Sequence, residues 1–216
     1  MKMLVNGATL TVQRFKHSPH IGALLTPNAK NSIRRIVSAG LCYGVDNGAA
    51  SSEGFSAPAF LRLLSKVAVD GRDCLFVAAP DVVKKVGADY IGDAAATLEQ
   101  FAIWAPMIRS LGLPAALVAQ DGLHADAVPW DQLDALFVGG STRFKLAGST
   151  IDLCRDAKRH GKYVHVGRVN SLRRIKVCVE MRADSFDGSH FTWWPDSHIP
   201  IGLRWIAAEK RQGLLT

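Results

Sequence analysis

The chain has 216 residues, 48% hydrophobic and 21% charged, with a formal net charge of +7. That balance excludes a disordered chain and suits one globular domain over residues 1–216. The longest apolar runs, at 74–80 and 114–119, fall far short of the ~18 residues of a helical membrane span.

In chain order, the pattern alternates strand and helix. A strand is predicted at 3–5, then a long loop or hairpin over 12–28, then a strand at 41–45. Ala59, Leu61, Leu63, Leu64 and Val67 mark a helix, followed by a strand at 74–78. A long helix covers 94–111, with Leu98, Phe101, Ala105 and Ile108 on one face and a kink expected at Pro106. Strands follow at 115–119 and 135–138, then a helix at 151–160 that ends before Gly161. The series closes with a strand at 163–166, a helix at 170–182 capped by Asn170 or Ser171, a weaker strand at 185–186 and a helix at 201–211.

Most of these strand runs are continuously apolar, as parallel strands covered on both faces are. Seven such strands alternating with helices predict an α/β fold, a compact and irregular (β/α)8-type TIM barrel. The competing open doubly wound sheet has no support in a phosphate loop. No GxGxxG follows the first strand and no GxxxxGK[ST] occurs.

Residues 1–10 hold one Lys and an apolar patch broken by Asn6 and Gly7, too short for a secretory leader. Cys42, Cys74, Cys154 and Cys178 lack CxxC spacing and sit mostly in apolar segments. They read as buried free thiols in a cytoplasmic protein, with no zinc site and no disulfide framework.

The chemistry sits at the C-terminal ends of the apolar runs. The strand at 41–45 ends in Asp46-Asn47-Gly48, and that at 74–78 in Ala79-Pro80-Asp81. Later strands end in Gln120-Asp121-Gly122, Gly139-Gly140-Ser141-Thr142, Gly167-Arg168-Val169-Asn170 and Phe186-Asp187-Gly188. One such residue alone is a turn former. In a parallel barrel, all of them converge on the rim where active sites are built. No HExxH and no defensible Ser/His/Asp set is present, and His17 and His20 read as surface histidines. The remaining groups are carboxylates, which suit glycosidic-bond chemistry. A carboxylate beside a carboxamide can read a flat heterocycle, and a diglycine lets a base approach the backbone.

The charge is lopsided. Residues 1–142 carry 12 basic and 12 acidic side chains, so the whole excess lies in residues 143–216. Its dense stretches include Arg143/Lys145, Arg155/Lys158/Arg159/Lys162, Arg168/Arg173/Arg174/Lys176 and Lys210/Arg211. Such a one-sided basic surface suits contact with a polyanion.

Over roughly residues 40–190, the order of these motifs resembles the tRNA-guanine transglycosylase superfamily. It is most similar to the short phage and bacterial members that act on DNA, the 7-deazaguanine DNA transglycosylases. Asp46-Asn47-Gly48 resembles the family's Asp-Ser-Gly-Gly, and Ala79-Pro80-Asp81 its base-reading Asp. Val118-Ala119-Gln120-Asp121-Gly122 resembles its Val-Gln-Gly, and Phe137-Val138-Gly139-Gly140 its Gly-Gly strand end. His165-Val166-Gly167-Arg168-Val169 resembles its Leu-Met-Gly-Val-Gly, and Asp184-Ser185-Phe186-Asp187 its Asp-Met-Phe-Asp.

The resemblance implies Asp187 as the nucleophile at C1′, with Asp184 as the nearby rival, and Asp46 as general acid and base. It implies that Asp81, Gln120, Gly139, Gly140 and Gly167 form the base pocket. Arg168, Arg173, Arg174 and Lys176 would hold flanking phosphates, and Trp193 and Trp194 would either stack on bases or pack as core or lid. The expected substrates are DNA (or RNA) and a 7-deazaguanine such as preQ0. No cofactor is implied, and a homodimer is left open. The tRNA enzymes' Cys-rich zinc site has no counterpart here, so no metal is implied. The alternatives are a tRNA-acting enzyme, a hydrolytic N-glycosylase or nucleosidase, and a non-catalytic partner subunit.

Overall fold

Short apolar strands and amphipathic helices sort into an inner and an outer ring. A computed structural model describes residues 1–7, 9–29, 31–69, 72–87 and 89–211, with the side chains of Lys210 and Arg211 outside the description. The first half runs β1 (Lys2–Val5), α1 (Thr9–Gln13), β2 (Ile21–Leu25), α2 (Ile33–Ser38), β3 (Tyr43–Val45), α3 (Ala57–Val69) and β4 (Cys74–Ala78). A hairpin, β5 (Val83–Val86) and β6 (Asp89–Gly92), comes next, before α4 (Ala94–Ser110) and β7 (Ala115–Ala119). The chain continues through β8 (Ala135–Val138), α5 (Thr142–Lys145), α6 (Gly148–Arg159), β9 (Tyr163–Val166) and α7 (Leu172–Glu180). It closes with β10 (Ser185–Asp187), α8 (Ser189–Trp193) and α9 (Pro195–Arg211).

Among the described residues, eight parallel strands close into a barrel in the order β1-β10-β9-β8-β7-β4-β3-β2. This is the expected TIM-barrel-like α/β fold. The sequence pattern marks seven of the strands. The eighth, β2, lies inside the stretch 12–28 that reads as a loop or hairpin. Its five buried apolar residues are bracketed by turn formers, Ser18-Pro19 before and Thr26-Pro27 after, and α1 is too short to announce a crossover. The antiparallel hairpin β5–β6 has no counterpart in the predicted elements either. The helix α4 continues through Pro106, and α9 begins at Pro195 rather than 201 and runs through Pro200. Ser171 caps α7, its Oγ accepting from the Arg174 N–H at 3.4 Å. Among the described residues, no helix is long and apolar enough to cross a membrane.

Strand side chains alternate in and out with period two. Leu4, Leu24, Phe76, Ala78, Ala116, Val118, Ala135 and Phe137 fill the barrel interior. Their neighbours Met3, Val5, Val77, Leu117, Leu136, Val138 and Val164 share the outer core with helix residues such as Phe60, Leu64 and Ile108. The interior is narrow, so large and small residues must face one another. Gly44 leaves the space that the Phe76 ring occupies, because a Cβ there would collide with the ring. Phe76 in turn meets Phe137 edge to face, with centroids 5.8 Å apart.

Gly44→Ala overpacks this level and should lower stability by about 1–3 kcal/mol. Chemical denaturation checks this, and adding Phe76→Leu should return part of the loss. A Gly44→Ala variant as stable as the parent would show that the interior has room to spare.

Candidate active site

The same alternation delivers the site. Gly44, Gln120, Gly139, Gly167 and Asp187 continue the inward phase of their strands, and Asp46 follows Gly44 by two. At the C-terminal rim they enclose an inner recess of about 80 Å³, lined among others by Asp46, Asp81, Gln120, Gly139, Gly140, Lys145, Gly167 and Asp187. The recess adjoins an outer cleft of about 510 Å³ that also touches Asp46, Tyr90, Arg168 and Asp187. Two acids separated by most of the chain therefore share one pocket.

Asp81 anchors one side of the recess. Asn47 Nδ2 donates to Asp81 Oδ1 at 2.9 Å and to the Ala79 carbonyl at 2.8 Å. Gln120 Nε2 donates to the other Asp81 oxygen. Burial raises the Asp81 carboxyl above its ordinary range, against these two donors. The Gln120 Oε1 is buried without a hydrogen-bond partner and packs against Gly92 of the hairpin.

Asp46 holds its loop through Oδ1, which accepts from the Gly48 N–H at 2.7 Å. Burial pushes its carboxyl up to about 7, opposed by that hydrogen bond and reinforced by the charges of Asp187 and Asp81. A carboxyl near neutrality can both give and take a proton at physiological pH.

Asp187 is held from below. His165 points into the barrel from β9, fully buried, and its Nε2 lies 3.1 Å from Asp187 Oδ2. The imidazole is wedged against Phe76 and Phe137, with centroids at 4.8 and 4.6 Å. Burial keeps its pKa below the usual value, against the pull of Asp187. A neutral ring that donates from Nε2 must accept at Nδ1, so the Ser185 hydroxyl, 2.7 Å away, donates to it. The Arg168 N–H reaches the other Asp187 oxygen at 3.3 Å.

A polar lattice fixes the surrounding loops. Asp121 accepts from the Gly92 N–H at 3.0 Å and the Ser141 N–H at 2.8 Å, tying the hairpin to the ends of β7 and β8. Gly140 needs no side chain there, since its φ is +71° and a Cβ would press on Phe144 and Asp121. Arg168 pairs with Asp89 at 3.2 Å, donates to the Gly140 carbonyl and lies 4.9 Å from the Tyr90 ring centre. Although burial raises it, Asp89 is held down to about 2 by hydrogen bonds from the Thr142 and Tyr90 N–H groups and by Arg168.

The expected site residues sort into three places. Asp46, Asp81, Gln120, Gly139, Gly140, Gly167, Arg168 and Asp187 all line the recess. Arg174 lines the outer cleft, with Nη1 bonded to the Arg168 carbonyl at 2.6 Å. Arg173 and Lys176 stand exposed on α7. Asp184 lies at the opposite end of β10, paired with Lys158 at 2.6 Å and accepting from the Val164 N–H. Trp193 and Trp194 are 65% and 51% exposed, not core, and Trp193 borders the outer cleft.

The sequence pattern singles out no role for His165 or for Lys145 as a pocket residue, and it misses the hairpin residues Asp89 and Tyr90. His165 has a signal, since period two places it inward below Gly167. Tyr90 has none, because no local pattern marks the hairpin that carries it. The four cysteines are free thiols, and burial raises those of Cys154 and Cys178. Among the described residues, no group of three or more His, Cys, Asp or Glu is placed to hold a metal ion. No family model and no curated protein matches the chain.

The Asp46 environment has a consequence for stability. A carboxyl whose folded pKa of about 7 exceeds its ordinary 3.8 destabilises the fold progressively as pH rises between those values. Asp46→Asn keeps the acceptor for Gly48 and removes the titration. Its melting temperature should match the parent near pH 4 and exceed it by about 3 °C or more at pH 8. Thermal melts across that range check this, and a pH-independent difference would contradict it.

Proposed function

We propose that this protein exchanges a base in DNA, replacing guanine with a 7-deazaguanine through a covalent enzyme–nucleotide intermediate. The observation that carries the reading is the pairing of Asp46 and Asp187 across one recess that also holds Asp81 and Gln120. The motif order over residues 40–190 supports it, as does the basic last third of the chain.

In the first half-reaction an Asp187 oxygen attacks C1′ and the bond from C1′ to the base nitrogen breaks. Asp46 gives its proton to the leaving guanine. In the second, the ring nitrogen of the incoming base attacks C1′ and displaces Asp187, while Asp46 takes the proton released. His165 and the Arg168 N–H fix the Asp187 carboxylate in the attacking position. Asp81, Gln120 and the backbone at Gly139 and Gly140 read the polar edge of the base, and Gly167 leaves room beside Asp187.

A base inside a duplex cannot reach this recess, so the target base is flipped or single-stranded. The sugar and its phosphates then occupy the outer cleft, with Arg174 on its wall and Trp193 at its edge. Arg173 and Lys176 extend the positive surface along α7. Arg168 is the least available for a phosphate, since Asp89 and the Gly140 carbonyl already engage it.

Asp187→Ala should abolish exchange of labelled guanine, and denaturing gels should show no covalent DNA adduct. Asp46→Asn should retain DNA binding and lose turnover by about 10²-fold or more. Normal exchange by Asp187→Ala would end the reading, and release of free base with an abasic site would replace exchange with hydrolysis. Changing Arg173 and Lys176 together to Ala should weaken DNA binding for all sequences and reduce the salt slope by about 1 per lost phosphate contact. Binding titrations at several salt concentrations measure it, and an unchanged slope would remove these two residues from the DNA surface.

A further inference from the structure

Lys145 is an unusual group for the place it occupies. It ends the single-turn helix α5 and is 5% exposed, yet it lines the inner recess with Asp81, Gln120 and Gly140. Its position is built from outside. Asp121 binds Ser141, and the Ser141 Oγ accepts from the Phe144 N–H at 3.1 Å to cap the turn that carries the lysine. The Lys145 Nζ donates to the Gly140 carbonyl at 3.2 Å, an oxygen that Arg168 also engages.

No carboxylate of a described residue lies within ion-pair distance of this amine. An ammonium has three donors, and a buried one without a counter-ion is costly. Burial, with Arg168 and Arg174 nearby, lowers the Lys145 pKa to about 7, although Asp187 and Asp89 pull the other way. The group therefore has donor capacity to spare, inside the recess, and gains from any acceptor that enters within hydrogen-bond reach. The Asp81 carboxylate lines the same recess as an acceptor for a base's N–H group.

We propose that Lys145 is a specificity-determining residue of the base pocket: it donates to an acceptor on the bound base, admitting nitrile or carboxylate substituents and refusing an alkylammonium one. This rests on the reading of the recess as a base pocket. Below about pH 7, where Lys145 keeps its proton, a second cation brought beside it and Arg168 meets like charge in a poorly hydrated space, a cost of at least about tenfold in affinity. A structural staple between α5 and Gly140 would hold the loop equally well whatever the base carries. Charge selectivity is therefore the property that separates the two roles.

The test measures binding of four probes to the full chain by calorimetry at about pH 6, below the Lys145 pKa of about 7: 7-deazaguanine and its 7-cyano, 7-carboxy and 7-aminomethyl derivatives. The parent should bind the cyano base at least about tenfold more tightly than the aminomethyl base. In Lys145→Met and Lys145→Gln that ratio should fall by about tenfold or more, with the aminomethyl base gaining. Equal binding of the two bases by the parent would overturn the proposal, as would an unchanged ratio in variants that still bind 7-deazaguanine. If neither variant folds, equal binding of the two bases by the parent still overturns the proposal. Failure of the parent to bind any of the four would instead reject the base pocket itself, and the role of Lys145 with it.

Discussion

The hydrogen bond from His165 Nε2 to Asp187, 3.1 Å long, joins the centre of the barrel to its mouth. The imidazole is clamped by Phe76 and Phe137, and Phe76 fits only because Gly44 has no side chain. Interior packing thus fixes the ring, the ring's second nitrogen is committed to Ser185, and the remaining N–H has one direction to point. A carboxylate positioned this way is oriented by the fold itself, and the proposed displacement at carbon needs preorganisation of this kind. Changes in the barrel core therefore reach Asp187 without touching the cleft.

The recess concentrates opposing charges in little space. Asp46 and Asp81 are both raised by burial, Lys145 is lowered by it, and so is His165 beneath the recess. Each shift brings the group toward its uncharged form, which is how buried ionisable groups limit the cost of desolvation. At the rim of the recess the logic reverses. Asp89 and Arg168 pair at the rim, and Asp121 gathers backbone and hydroxyl donors from the loops around it. The charged struts hold the walls while the titratable groups stay poised inside.

Much of this was legible because the strands of a parallel barrel all end on one rim. Residues that follow continuous apolar runs, such as Gln120 and Asp187, therefore meet there once the sheet closes. The fold class followed from the same runs. Legibility failed where tertiary context overrides local pattern. Ile21–Leu25 is an interior strand whose flanking prolines suggest a loop, and the hairpin of β5 and β6 is too short and too polar to stand out. Pro106 and Pro200 lie within helices that packing sustains. Lys145 reads as one more cation in a basic stretch, and only the turn anchored by Asp121 carries it indoors. The exposure of Trp193 and Trp194 likewise depends on where α8 and α9 lie, which no local pattern encodes.

Base exchange at this site requires a flat bicyclic base lying in the inner recess with its sugar side toward Asp187. A crystal of the protein soaked with 7-deazaguanine tests that most directly. The ring should lie between Asp81, Gln120 and Gly140, with the glycosidic nitrogen facing the cleft between Asp46 and Asp187. A recess that stays closed to the base, or a base bound with that nitrogen turned away from both acids, would contradict it.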